Sequence, residues 1–190
     1  MERLAYYKLL EWKERQNKMP LILKGARQVG KTWLMKEFGK RNYTHVAYFN
    51  FESVKNLHLI FEKGFDTTAI ISALNIESGI KIEPHNTLII FDEIQACPSA
   101  LTSLKYFQES NKQYDIIAAG SLLGVSLHMN QSFPVGKVEF MELFPFSFNE
   151  FLLAMGQEDL LGIINRKEKG MIEVFKDKYV DLLKQYYFLG

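Results

Sequence analysis

The sequence predicts an α/β protein in which a mostly parallel central sheet of about five strands lies between layers of helices. Short runs dominated by apolar residues occur at 21–23, 88–91 and 115–121, and such runs are typical of strands buried on both faces of a parallel sheet. Segments with helical periodicity separate these runs, so strands and helices alternate along the chain. This alternation indicates a three-layer fold with right-handed crossovers.

The first half of the chain shows this alternation clearly. An amphipathic pattern predicts a helix over 3–17, and the apolar run 21–23 is too short for a helix and suits a buried strand. A glycine-bearing turn then leads into a second helical segment, and the β-branched and aromatic run 45–52 predicts a second strand. Between 53 and 82 we expect two helices, which Gly64 separates.

The second half continues in the same way. Its patterns predict a strand over 88–91, a helix over 98–110, a strand over 115–121, a fifth strand within 134–143 centred on 137–140, and a last helix from about 171 to the end. Ser147 and Glu150 have the spacing of a capping box, in which two side chains satisfy free N–H groups at a helix start. A further helix should therefore run from there to about Met155.

The length of 190 residues corresponds to one domain, or to one domain and part of another. A hydrophobic content of 47% is sufficient for a packed core. We expect one domain over 1–165 and a helical segment over 166–190 that leads into a further C-terminal part. The aromatic run 186–188 supports this expectation, because chain termini are usually polar and exposed.

Composition and charge exclude several classes of protein. Lys and Arg total 23 against 22 for Asp and Glu, and a net charge of +1 excludes a strongly basic nucleic-acid arm, so DNA is a possible partner that the net charge does not support. The single cysteine, Cys97, excludes a disulfide-built secreted fold. The charged N-terminus lacks the apolar core of a signal peptide, and no run approaches the roughly 18 apolar residues of a membrane span. We therefore expect a cytoplasmic protein with no membrane partner.

One motif carries a specific chemical prediction. Residues 25–32, GARQVGKT, match G-x-x-x-x-G-K-[ST], and they follow a predicted strand and open a predicted helix, as this motif requires. Glycines let successive backbone N–H groups point inward, and the helix start adds the positive end of its dipole, so the segment suits a polyphosphate. A chance match in a turn before a helix is the alternative.

The residues predicted to bind nucleotide are Gly25, Ala26, Arg27, Gln28, Val29, Gly30, Lys31 and Thr32. Lys31 would bring a mobile positive charge to the β- and γ-phosphates, and the hydroxyl of Thr32 would bind Mg²⁺. The predicted ligands are accordingly ATP and Mg²⁺.

Two acids follow the buried strand 88–91. Because ligands bind at the carboxyl ends of strands in open α/β sheets, Asp92 would hold Mg²⁺ through its water shell and Glu93 would polarise the attacking water as general base. Capping of the next helix is the alternative for this pair.

The order of the motifs favours an ATPase. One predicted strand lies in sequence between the glycine-rich loop 25–32 and the two acids, and this order is typical of ATPases. The guanine-reading pattern N-K-x-D is absent, since its nearest match at 111–114 lacks the Asp.

Two polar residues at other strand ends are further candidates. Ser121 follows the strand DIIAAG, where a sensor could contact the γ-phosphate or the lytic water, although it could equally be a turn residue. Asn50 interrupts the aromatic strand YFNF, where it could hold Glu93 away from water until a partner binds. A hydrogen bond between Asn50 and a neighbouring loop is the alternative.

With these residues, the chain resembles the ATPase domain of a prokaryotic AAA-type family related to archaeal ATPases. The resemblance covers nearly the whole chain and rests on KGARQVGKTWLMKEFG, YFNFE, LIIFDEIQACPSALTSLKYFQE, IIAAGSLLGVSL and PVGKVEFMELFPFSFNEFL. It implies that residues 25–32 are the Walker A motif, that Asp92 and Glu93 are the Walker B pair and that Ser121 is the sensor. It also implies a winged-helix-like segment and a nuclease-like C-terminal domain, with which members of the family usually continue.

Two functions remain open at this point. The first is a Mg²⁺-dependent ATPase module that drives a conformational change in a partner or C-terminal domain, with Glu93, Lys31 and Ser121 as catalytic residues. The second is a nucleotide-gated regulatory module, associated with DNA or protein, with negligible turnover of its own.

No sequence context marks any of the five arginines as an arginine finger, so a homo-oligomer or the C-terminal domain would supply one. Many relatives have Gly-Arg where this chain has Gly136-Lys137, and a lysine cannot make a bidentate fork.

Overall fold

The computed structural model describes residues 3–54, 56–110, 114–121, 134 and 136–189. Five strands in this part of the chain form one sheet, in which every paired strand runs parallel to its neighbour. They are β1 (Leu21–Gly25), β2 (His45–Asn50), β3 (Thr87–Asp92), β4 (Asp115–Ser121) and β5 (Glu139–Glu142). Their order across the sheet is β2-β3-β4-β1-β5. The predicted α/β fold with a parallel sheet of about five strands is confirmed.

Helices lie before, between and after these strands along the chain. In the described residues they are α1 (Leu4–Glu14), α2 (Lys31–Asn42), α3 (Asn56–Glu62), α4 (Thr67–Ser78), α5 (Pro98–Glu109), α6 (Phe148–Ala154), α7 (Glu158–Asn165), α8 (Lys169–Val174) and α9 (Lys176–Leu189). A short 3₁₀ turn, Ile94–Ala96, follows β3. The predicted capping box is present, because Ser147 accepts from the Glu150 amide while the Glu150 side chain accepts from the Ser147 amide. None of these helices combines the length and apolar composition that a membrane crossing requires.

The two faces of the sheet carry separate apolar clusters. Alternation along β3 places Leu88 and Ile90 on one face and Ile89 and Phe91 on the other. The first face packs against residues of α1 and α2, and the second packs against residues of α3, α4 and α5. The result is three layers, with the carboxyl ends of all five strands at the same edge of the sheet.

Several predicted elements differ from the structure in their limits, among them the first helix, which was expected over 3–17 and is Leu4–Glu14. The fifth strand was expected around 137–140, whereas β5 is Glu139–Glu142, because its ladder with β1 begins where the Glu139 amide donates to the Pro20 carbonyl. The single helix expected from 171 is interrupted at Phe175, whose backbone (φ −100°, ψ 17°) leaves helical geometry between α8 and α9. The apolar spacing continues through this point, so the sequence pattern contains no signal for the break.

A third apolar cluster lies among the C-terminal helices. Its buried members come from α6, α7 and α9, and they include Phe151, Leu160 and Leu182. The hydroxyl of Tyr186 in α9 donates to the Phe146 carbonyl at 2.6 Å, which attaches the last helix to the segment before α6. The expected division of the chain at 165 and 166 stays a prediction.

Candidate functional site

The loop between β1 and α2 has the conformation that its glycines permit. Gly30 (φ 90°) lies in the left-handed region, which glycine adopts readily, and Gln28 (φ 66°) also lies there, which is uncommon for a residue with a Cβ. At Gly25, an added Cβ would lie 2.4 Å from the carbonyl oxygen of Leu143, so the close approach of two backbones requires glycine there. These two constraints explain why the loop curls between the end of the strand and the start of the helix.

Lys31 is buried at the first position of α2, with only 7% of its surface exposed. Its Nζ donates to the carbonyl oxygens of Gly25 at 3.0 Å and Ala26 at 2.7 Å. The loop therefore surrounds a positive charge that its own carbonyl groups hold in place. Together with the free N–H groups at the start of α2, this charge gives the loop the electrostatics of an anion site.

The loop and the acidic strand end meet through one hydrogen bond. Thr32 Oγ1 donates to Asp92 Oδ2 at 2.7 Å, although 60 residues separate them in sequence. Asp92 is the last residue of β3 and is almost fully buried. β4 lies between β1 and β3 in the sheet, so the two halves are held one strand apart. A hydroxyl and a carboxylate side by side are oxygen ligands of the kind Mg²⁺ prefers, so this pair fits a magnesium site.

Tyr48 is a residue of this site that the sequence reasoning missed. Its Oη donates to Asp92 Oδ2 at 2.8 Å, the same oxygen that accepts from Thr32. Burial raises the pKa of Tyr48, the Asn50 hydrogen bond opposes that effect, and the Asp92 carboxylate adds to it, so the phenol stays a proton donor at neutral pH. The ammonium of Lys36 lies 3.6 Å from the centre of the Tyr48 ring.

Glu93 follows Asp92 and has a left-handed backbone (φ 52°, ψ 44°). Its Oε2 accepts from Gln95 Nε2 at 2.5 Å, so the side chain that holds Glu93 is Gln95, the last residue of the DEIQ sequence. Asn50 instead accepts from the amides of Glu52 and Ser53 with its Oδ1. The hydrogen bond to a neighbouring loop that was the alternative for Asn50 is therefore what the structure has.

Ser121 is the last residue of β4 and pairs in register with Gly25 at the end of β1. Its backbone therefore lies at the carboxyl edge, beside the start of the loop. Its side chain lies outside the described part of the structure, so the sensor role stays a prediction.

A cavity of about 720 Å³ lies on the outer side of the loop. It is lined by Arg3, Arg27, Gln28, Val29, Gly30, Trp33, Pro145 and Phe146. Trp33 directly follows Thr32 and is 46% exposed, which is high for an indole. The loop thus has an aromatic and apolar recess beside it, and no sequence motif indicated this recess.

Arg3 is a third residue, after Tyr48 and Gln95, that the sequence reasoning missed. Although it begins the described chain, it is 6% exposed and reaches the loop, where its Nη1 donates to the Val29 carbonyl at 3.0 Å. A lone arginine before an amphipathic helix carries no motif signal. Only the fold brings it to the loop.

A parallel sheet with a glycine-rich loop after its first strand and an aspartate at the end of its third defines a P-loop fold of the kind that binds nucleoside triphosphates. Within that class, the sequence profile of the AAA domain family matches residues 17–152. The match covers more than half of the chain, which therefore belongs to the AAA domain family. No curated protein matches the chain in sequence.

Two solved structures show the same fold. A chain in the structure of Drosophila ORC bound to DNA has a TM-score of 0.51 and 16% identity, over 92% of this chain and 51% of that one. The Aeropyrum pernix ORC1 protein, in complex with DNA, has a TM-score of 0.50 and 15% identity, over 81% of this chain and 47% of that one. The chain thus spans about half the length of the two chains it matches. At such identities the likeness concerns the fold alone.

Proposed function

We propose that this chain is a Mg²⁺-dependent, ATP-binding and ATP-hydrolysing AAA-type domain, which couples its nucleotide state to a conformational change in a partner or in a further part of its own protein. The observation that carries the proposal is the hydrogen bond from Thr32 to Asp92. It joins a loop suited to phosphates with a strand end suited to a metal. Membership of the AAA domain family supports the same assignment.

In this proposal the loop residues 25–32 bind the phosphates with their backbone amides. Lys31 exchanges its carbonyl partners in the loop for β- and γ-phosphate oxygens, and the positive end of α2 favours the same negative charge. Thr32 and Asp92 would hold Mg²⁺, and a bound Mg²⁺ would supply positive charge to offset the negative charge of the phosphoryl group. Tyr48 orients the carboxylate of Asp92 through the hydrogen bond that its hydroxyl donates to Oδ2.

The purine would occupy the cavity beside the loop. Its apolar lining, which includes the exposed Trp33 and Phe146, offers faces on which a flat aromatic base can stack. Adenine rather than guanine is proposed because the sequence has no N-K-x-D. This part of the proposal is separate from the phosphate site and has its own test below.

For hydrolysis, Glu93 would accept a proton from the attacking water while Gln95 holds its other carboxylate oxygen. Four of the five arginines form ion pairs, and Arg27 is exposed on the loop without a hydrogen bond or ion pair among the described residues. An arginine finger supplied by another subunit or by a C-terminal domain would then accelerate turnover.

We propose that the protein is located in the cytoplasm. The two ORC structures contain DNA, but DNA as a partner of this chain has no support from its net charge.

The two tryptophans provide the test of nucleotide binding. Trp12 is buried in the core, whereas Trp33 lines the cavity, so Mg·ATP should change the fluorescence of Trp33. The titration is performed with Mg·ATP and Mg·GTP on the wild type, Lys31→Ala and Trp33→Phe. We expect a saturable change with ATP that weakens in Lys31→Ala and disappears in Trp33→Phe. Equal affinities for ATP and GTP would reject adenine selectivity, and calorimetry without heat for either nucleotide would reject the phosphate site.

Removal of the Tyr48 hydroxyl should weaken the metal site. In Tyr48→Phe, Asp92 keeps the bonds from the Thr32 hydroxyl and the Glu93 amide but loses the bond from the Tyr48 hydroxyl, so its carboxylate is less firmly oriented. Partners of this kind typically contribute 10- to 100-fold to metal affinity, so we expect the Mg²⁺ concentration for half-maximal ATP binding to rise about tenfold or more. Tyr106→Phe is the matched control, because Tyr106 lies in α5 and stacks on Phe65. The same shift in both variants would contradict a specific role of Tyr48.

A further inference from the structure

Arg3 joins three separate parts of the molecule through one buried guanidinium group. Its Nη1 donates to the Val29 carbonyl in the loop at 3.0 Å, and its Nη2 donates to the Phe144 carbonyl after β5 at 2.8 Å. Its Nε donates to Glu150 Oε1 at 2.9 Å. Each of the three nitrogens therefore has a different partner, and the planar fork of an arginine is the side chain that can serve all three at once.

Glu150 continues this connection into α6. Its Oε1 also accepts from the Leu4 amide at 2.9 Å, and its Oε2 accepts from the Ser147 amide at 2.9 Å as part of the capping box. Burial alone would raise the pKa of Glu150, but hydrogen bonds from Ser147 and Arg3 outweigh it, so the pKa lies below its usual value. The ion pair is thus charged, and both its side chains are more than nine-tenths buried.

The bond to Val29 has a consequence for the phosphate-binding face of the loop. The Val29 carbonyl and the Gly30 amide belong to one peptide unit, which is planar and trans, so they point in opposite directions. Because Arg3 holds the carbonyl on the outer side of the loop, the Gly30 N–H is directed to the inner side. An amide at this position of the motif is among those that line the phosphate cradle.

We propose that Arg3 is a positioning residue of the nucleotide site, which orients the Gly30 amide for phosphate and transmits movement of the loop through Glu150 to α6. This inference rests on the proposed function, since it needs a nucleotide in the loop. Movement of α6 would then displace the third apolar cluster, among the C-terminal helices, because Phe151 and Leu152 of α6 belong to that cluster. The conformational change that accompanies ATP binding would begin in the loop and reach the C-terminal helices through α6.

The experiment compares Arg3→Lys and Glu150→Gln with the wild type. Arg3→Lys keeps the charge but has a single nitrogen, which cannot reach the three separate acceptors that Nε, Nη1 and Nη2 contact in the wild type. Glu150→Gln keeps the capping box and removes the charge partner of Arg3. The matched control is Arg15→Lys, which alters an exposed ion pair with Glu139 at the other end of α1. ATP affinity is measured by calorimetry, and hydrogen exchange of the loop and of α6 is measured with and without saturating Mg·ATP.

In the wild type we expect Mg·ATP to slow exchange both in the loop and in α6. Arg3→Lys should lose about tenfold in ATP affinity, the effect of a lost hydrogen bond to a charged group, and should lose protection of α6 while the loop stays protected. Glu150→Gln should lose protection of α6 with a smaller loss of affinity, and Arg15→Lys should match the wild type. If Arg3→Lys does not fold, Glu150→Gln still tests the transmission to α6.

Other outcomes would overturn specific parts of the inference. Unchanged ATP affinity in a folded Arg3→Lys would overturn the positioning role. Protection of α6 that persists in both Arg3→Lys and Glu150→Gln, or that is absent from an ATP-saturated wild type, would overturn the transmission to α6. A wild type that binds no Mg·ATP at all would instead overturn the proposed function, and this result is distinguishable because the affinity is measured separately from the exchange.

Discussion

Replacement of Glu93 by Gln is expected to reduce ATP turnover about 100- to 10,000-fold, the usual contribution of a general base, and to leave ATP affinity nearly unchanged. Gln has almost the shape of Glu and its amide oxygen can still accept the hydrogen bond from Gln95. It cannot accept a proton from water at neutral pH. Steady-state phosphate release measures the first quantity, and calorimetry with Mg·ATP measures the second.

Glu52→Gln is the control for this variant. Glu52 is an exposed acid in the turn after β2, so the substitution removes the same charge at the same edge of the sheet. We expect wild-type turnover from it. If Glu93→Gln hydrolyses ATP as fast as the wild type, Glu93 is not the base. If the wild type binds ATP but releases no phosphate above the background measured without protein, the nucleotide-gated regulatory module becomes the better description of this chain.

The second large effect concerns stability. Replacement of Arg3 by Met should lower the free energy of unfolding by about 3–5 kcal/mol, the usual result of removing one partner from a buried ion pair. Glu150 would remain buried without its charged partner, and the carbonyl groups of Val29 and Phe144 would each lose a donor. Urea denaturation followed by circular dichroism gives the free energy and shows whether the variant is folded at zero urea.

Arg15→Met separates this effect from the general loss of an arginine. The Arg15 side chain is about half exposed in its pair with Glu139, and exposed pairs contribute about 0–1 kcal/mol, so a small change is expected. The double variant Arg3→Met with Glu150→Gln should recover part of the lost stability, because it no longer buries an unpaired charge. A loss below about 1 kcal/mol in Arg3→Met would show that the buried pair contributes no more than a surface pair.

The main elements of the sheet could be predicted from local sequence. Runs such as 88–91 and 115–121 are short, apolar and bounded by polar residues, and burial on both faces imposes that composition wherever such a strand occurs. The spatial order of the strands could not be predicted in this way. That β4 lies between β1 and β3 is a property of the crossovers, and no single segment encodes it.

The candidate site likewise contains some residues that local sequence predicts and others that only the fold reveals. Thr32 and Asp92 could be predicted because each belongs to a contiguous motif with a chemical reason for its residue types. Tyr48, Gln95 and Arg3 could not, because their importance comes from contacts between distant elements or from a side-chain direction. A tyrosine near the end of a strand has no distinctive pattern until the fold places its hydroxyl 2.8 Å from a carboxylate.

The position of β4 has a mechanical consequence for any nucleotide-driven motion. Two rows of inter-strand hydrogen bonds lie between the strand that carries the loop and the strand that carries Asp92, and neighbouring strands in a sheet are about 4.8 Å apart. This ladder acts as a rigid spacer, because stretching it would break several backbone bonds together. Displacements that accompany binding and release should therefore arise in side chains, in the loop itself and in peripheral helices, while the spacing between the two strands stays constant.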